Sequence, residues 1–250
     1  MTWLERWRRP GIEPWAWTGA VERLGSVHHL GRADLERLRA LAQRFLVRKA
    51  VTGAGGLEVD AEMRAVIAAQ AALLVLNLDL SYYGTFHQVI VYPGTFLVEH
   101  EETDEAGVVH RIRRPLSGEA WHQGPVILSW ADARPGVPRP PGHNVVIHEF
   151  AHKLDMAGGA ANGRPPLHGG VDPSAWTRDF TAAWERFQHE GDGEQWAWLD
   201  PYALDSPAEF FSVASEYFFE APALLQEHLP AIYGHLKEFY RQDPAAGRAG

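Results

Sequence analysis

Hydrophobic and polar positions alternate along this chain in blocks of different period. From 34 to about 49, Leu35, Leu38, Leu41, Ala42, Phe45 and Leu46 recur at helical spacing with charges between them, which predicts an amphipathic helix. A glycine-rich turn at 52–56 separates it from a nearly continuous apolar segment at 61–80. Gln70, Asn77 and Asp79 interrupt that segment, so it falls short of a membrane span and reads as a buried core helix. Residues 87–93 form a short apolar run ended by Pro93 and Gly94 and predict a strand. Residues 96–98 are a further strand candidate, and the acidic stretch 99–105 reads as an exposed turn. The clearest strand is 124–130, which leads into the proline-rich loop 135–141.

The second half is mostly helical in pattern. A helix is predicted from about Val145 to about Ala157, capped by Asn144 and stopped by Gly158 and Gly159. After a loop rich in glycine and proline at 158–170, Trp176, Phe180, Ala183, Trp184 and Phe187 mark the apolar side of a helix over 176–189. Ser206 as cap and Pro207 at the first helical position open another through about Glu220. A last helix covers roughly 224–240, with a candidate break near Pro230.

Within the helix at 145–157, His148, Glu149, Phe150, Ala151 and His152 carry the chemistry. Histidines at i and i+4 share one face, so their imidazoles can grip one zinc ion together, and Glu149 points beside it, where it can take a proton from water on the metal. That geometry serves metal-assisted hydrolysis of an amide. Thirteen histidines would produce the pattern by chance in roughly one such chain in twenty, so its surroundings decide. Asp155 lies on the same face as the histidines. It is either a hydrogen-bond partner that fixes a ligand tautomer or a plain helix-end carboxylate. The strand at 124–130 precedes this helix; a free edge there could pair with an extended peptide, the alternative being an internal strand.

Composition narrows the choices. The chain of 250 residues has enough material for one large domain or two small ones. A net charge of −9 argues against nucleic acid as the direct ligand. Cysteine is absent, so thiol nucleophiles, disulfides and thiolate ligands are excluded, and any zinc must be held by His and carboxylate. The first ten residues lack the apolar core of a secretory signal, and no membrane segment is evident, which together predict a cytoplasmic protein.

A catalytic zinc needs a third protein ligand. No histidine falls between His152 and His168, so a downstream glutamate is expected. Glu209 and Glu216 are seven residues apart on one helical face, both among apolar neighbours where a carboxylate needs a cation or donors. Position alone does not choose between them.

The strings HEFAHKLD at 148–155, DPYA at 200–203, PAEFF at 207–211 and SEYFF at 215–219 closely resemble the Mlc titration factor A family of bacterial zinc peptidases. The likeness extends to FHQVIVYP at 86–93 and QGPVILSW at 123–130, and so covers about residues 30–243. The resemblance implies a zincin fold related to the catalytic domain of anthrax lethal factor: α+β, mainly helical, with a small mixed sheet whose edge strand precedes the zinc helix. No internal repeat or sharp linker divides the chain, so one domain is expected over 1–243, with a helical part at about 1–82 and a metallopeptidase core at about 83–243, and 244–250 reads as a disordered tail. Glu209 matches the family's glutamate ligand, and Tyr202 matches a tyrosine near the metal that could donate to an oxyanion. Glu216 is then left as a support for the ligands or a structural residue. Lys153 is unusual for zincins at large but shared by this family. The implied activity is aminopeptidase-like cleavage of short peptides. The family's name implies a second role of another class, a non-enzymatic anti-repressor that titrates a DNA-binding repressor such as Mlc.

Overall fold

The computed structural model describes residues 11–103, 109–116, 118–120, 124–191 and 193–248. Two helices at the start, α1 (Pro14–Arg23) and α2 (Arg32–Arg48), pack on a third, α3 (Ala61–Leu74). α1 was not evident in the hydrophobic pattern: only Ala16, Trp17 and Ala20 of its ten residues are buried. α3 is apolar on every side and buried from Ala65 to Leu74, as an all-round hydrophobic helix must be. It is shorter than the predicted 61–80. Asp60 caps its start by accepting from Met63 N–H, and beyond Val75 the chain turns into a 3₁₀ segment, Leu80–Tyr83, opened by Asp79.

Strands β1 (Ala50–Gly53), β2 (Gln88–Tyr92), β5 (Gly118–Ala120) and β6 (Val126–Ser129) form one mixed sheet in the order β1-β2-β6-β5. The first three in that order are parallel, and β5 runs antiparallel to β6. The predicted strand at 124–130 is therefore internal. The edge strand that precedes the zinc-type helix is instead the three-residue β5, whose Gly-Glu-Ala sequence carries no strand signal. A separate hairpin joins β3 (Phe96–Thr103) to β4 (Val109–Leu116). The acidic residues 99–103, expected in a turn, belong to β3, while 104 and 105 lie outside the described residues.

The remaining helices follow: α4 (Trp130–Ala133), α5 (Val145–Asp155), α6 (Pro173–Glu190), α7 (Pro207–Glu220), α8 (Pro222–His228) and α9 (Pro230–Tyr240). Pro222 and Pro230 each sit at a first turn, so the helix expected over 224–240 is broken at Pro230, as its sequence suggested, and begins two residues earlier. Of the expected disordered tail at 244–250, residues 249 and 250 lie outside the described residues. Pro244 is buried, and Ala245 N–H donates to Tyr233 Oη at 3.0 Å. No helix among the described residues is long and apolar enough to cross a membrane.

α5 sits at the centre, against α3, α7 and strands β5 and β6, with all eleven of its residues buried. Phe150 anchors it edge-on to Phe45, Tyr83 and Phe86, at centroid distances of 5.6, 5.3 and 5.9 Å. Lys153, fully buried, is satisfied by the Gly124 carbonyl at 3.0 Å and lies 5.1 Å from the centre of the Phe86 ring. Burial lowers its ammonium to a pKa of about 8.

Asn144 places the start of α5. Its Oδ1 accepts from the Val146 and Ile147 N–H groups, and its Nδ2 donates to Gln70 Oε1 and Glu220 Oε1, both at 2.6 Å. One side chain thus caps α5 and ties it to α3 and α7. The preceding turn needs Gly142, whose φ is +85° and whose added Cβ would meet the Tyr217 ring at 2.5 Å. Asn144→Ala removes a cap and the donor to the buried Gln70 Oε1, so a loss of about 2–4 kcal/mol in denaturant unfolding is expected. A loss below about 0.5 kcal/mol would show that this network does not hold the helix.

Candidate metal centre

Helical spacing and two caps bring the candidate ligands together. In α5, His148 and His152 stand one turn apart, with Nε2 atoms separated by 3.1 Å and ring centroids by 4.8 Å. In α7, Ser206 Oγ accepts from the Glu209 N–H at 3.1 Å, which sets Glu209 in the first helical turn facing α5. Its Oε2 lies 2.9 Å from His148 Nε2 and 3.1 Å from His152 Nε2. Three ligands at zinc distances around a tetrahedral ion stand roughly 3.3–3.5 Å apart. The observed triangle is slightly tighter, and its nitrogen–nitrogen–oxygen donor set can hold a divalent metal ion.

Glu216, seven residues on and on the same face of α7, takes the other side of the first histidine. Its Oε1 lies 2.8 Å from His148 Nδ1, while its Oε2 accepts from the Asn144 N–H. The two glutamates left undecided by spacing are thereby separated. Glu209 reaches the Nε2 atoms where the histidines converge, and Glu216 reaches the Nδ1 atom behind them. Burial opposes a charge on His148, yet Glu216 and Glu209 outweigh it and hold its pKa well above the usual imidazole value. Burial likewise acts to raise Glu209, but the hydrogen bonds of both imidazoles hold its carboxyl down at about 2.

The remaining predicted site residues are placed less uniformly. Glu149, 4% exposed, lies between the two histidines in sequence and against β5. Tyr202 lies in a 3₁₀ turn, Pro201–Leu204, with its ring 5.7 Å from that of His148 and 44% of its surface exposed. Asp155 does not bond a ligand imidazole. Its Oδ2 accepts from the Asn162 and Gly163 N–H groups at 2.8 and 2.7 Å, so it pins the 158–170 loop to the end of α5. The two backbone donors converge on Oδ2 and turn the carboxylate toward the loop, and neither Asp155 Oδ1 nor His152 Nδ1 has a hydrogen-bond partner among the described residues. Burial raises the Asp155 pKa, against the pull of those N–H groups.

The hydrophobic pattern also passed over participants around the ligands. His143, on the turn before α5, has its Nδ1 3.9 Å from both Asp200 Oδ2 and Glu216 Oε2. Gly118 touches Glu149 from β5. Neither has a local signature, because each acquires its role from an element distant in sequence. Only the polar intrusion of Gln70 into an apolar helix hinted at the network behind His148.

Comparison with known proteins gives a consistent result. A family model described as glucose-regulated metallo-peptidase M90 matches residues 2–241. A protein named Mlc titration factor A from Salmonella schwarzengrund is 41% identical over 238 residues, covering 93% of this chain and 88% of that protein. One of the same name from Salmonella arizonae is 42% identical over 236 residues, covering 92% of each.

Proposed function

The chain belongs to the glucose-regulated metallo-peptidase M90 family, and we propose that it is a zinc-dependent peptidase acting through His148, His152, Glu209 and Glu149. The observation that carries this reading is the convergence of two Nε2 atoms and one carboxylate oxygen within 3.1 Å of one another, with a buried glutamate next to the first ligand. Such a site leaves one coordination position open, as catalytic zinc requires. Bound there, the ion would acidify water and polarise a peptide carbonyl.

The other steps belong to the chain itself. Glu149 removes a proton from the attacking water and passes it to the departing amine. Glu216 accepts from His148 Nδ1–H and so presents its Nε2 lone pair to the metal. Tyr202, half-exposed with its ring 5.7 Å from that of His148, would donate its hydroxyl to the oxygen that gains charge. An extended peptide would lie along the outer edge of β5.

The aminopeptidase reading adds a requirement for a free α-amino group. Short peptides with free amino termini should be cleaved at least about tenfold faster, by kcat/KM, than N-acetylated copies. Equal rates on both would replace it with an endopeptidase reading.

The name of the relatives supports a second role, binding of a transcriptional repressor of the Mlc type. A net charge of −9 suits a basic DNA-binding partner. The two roles are compatible. Capture of such a repressor by the Glu149→Gln protein separates binding from hydrolysis, and failure of capture would remove the second role.

A further inference from the structure

Gly118 opens the edge strand β5, and its backbone dihedrals are not what demands a glycine, since its φ is not in the left-handed region. Proximity demands it. A Cβ at this position would stand 2.3 Å from Glu149 Oε1, 2.6 Å from its Cγ and 2.7 Å from its Cδ. Carbon atoms in favourable contact keep about 3.5–4.0 Å. The strand backbone therefore rests directly on the whole carboxylate arm of Glu149.

Neither side of this contact can easily withdraw. β5 is held to β6 with Gly118 opposite Leu128, and β6 is in turn held to β2. Lys153 Nζ grips the Gly124 carbonyl just before β6, one helical turn beyond Glu149. α5 is packed on every side. The pairing of β5 with β6 and the burial of α5 thus hold the two backbones against each other, and the Glu149 side chain is the part with rotatable bonds. A glutamate on a helix has several staggered rotamers. A strand lying across the arm removes those that would swing it through the space the strand occupies.

We propose that Gly118 is a positioning residue for the reaction: its bare backbone lets β5 press on Glu149 and hold the carboxylate aimed at the space beside His148, His152 and Glu209. The inference rests on the reading of Glu149 as the base. The same contact places the substrate-side strand and the base in fixed register, so a peptide paired to β5 would meet Glu149 at a constant height.

Gly118→Ala tests this in the full chain loaded with zinc, with kcat, KM, metal content and a crystal structure of the variant as readouts. Expected are an unchanged metal content, KM within about threefold, and a kcat loss of roughly 100-fold. The crystal structure should show the carboxylate displaced while the backbone of β5 and α5 stays in place. Retention of kcat within about threefold would overturn the proposal. So would a lost kcat with the carboxylate still in its original position. Should Gly118→Ala fail to fold, the Glu149→Ala background decides: folding of the double variant supports a clash with Glu149, and failure there overturns it. Persistence of turnover in Glu149→Gln would instead refute the base assignment, and leave the structural displacement as a separate result.

Discussion

Glu149→Gln is expected to lower kcat by roughly 10²–10⁴-fold while the protein keeps its metal. The substitution keeps the shape of the side chain, so its contact with Gly118 and its burial are retained. What it removes is the ability to take a proton from water and hand it on to the departing amine, the two transfers the proposed reaction needs. The three atoms that converge on the metal position come from His148, His152 and Glu209, so their triangle is untouched. Steady-state hydrolysis together with metal content measures both halves. A variant within about tenfold of the parent would remove Glu149 from the role of base.

The second large effect is expected at the proposed third ligand. Glu209→Ala should weaken metal binding by more than about 100-fold, since loss of a mere supporting residue costs 10–100-fold. Glu216→Ala supplies that lesser case: it removes the carboxylate behind His148 Nδ1 while the Nε2 triangle stays intact. Competition titration with a chromogenic chelator ranks the two variants. The order Glu209 far above Glu216 is expected, and the reverse would make Glu216 the ligand. Loss of Glu209 should not unravel α7, because Ser206 Oγ is bonded to the backbone N–H at position 209 rather than to its side chain.

Legibility of the site in the sequence followed locality. α5 and α7 match their predicted limits closely because both carry strong local start signals, Asn144 and the Ser206–Pro207 pair. The pairing of His148 with His152 is likewise a matter of helical pitch. The choice between Glu209 and Glu216 was not local. It depends on how α7 crosses α5, and physical reading of the sequence left it open, with family resemblance pointing to Glu209. Asp155 shared the face of the ligands, but a loop seven and eight residues downstream claimed it. β5 escaped notice because three residues with low strand propensity become a strand only by pairing with β6. Of the long pair β3 and β4 only the apolar start, 96–98, reads as strand, because charged residues read as a turn until their partners along the chain are known.

The most direct test combines metal analysis of the purified chain with hydrolysis of short peptides before and after chelation. One zinc per chain is expected, with turnover abolished by the chelator and restored by adding zinc back. Hydrolysis that continues unchanged in the metal-free protein, or a chain that binds no metal, would contradict a metallopeptidase centre at His148, His152 and Glu209.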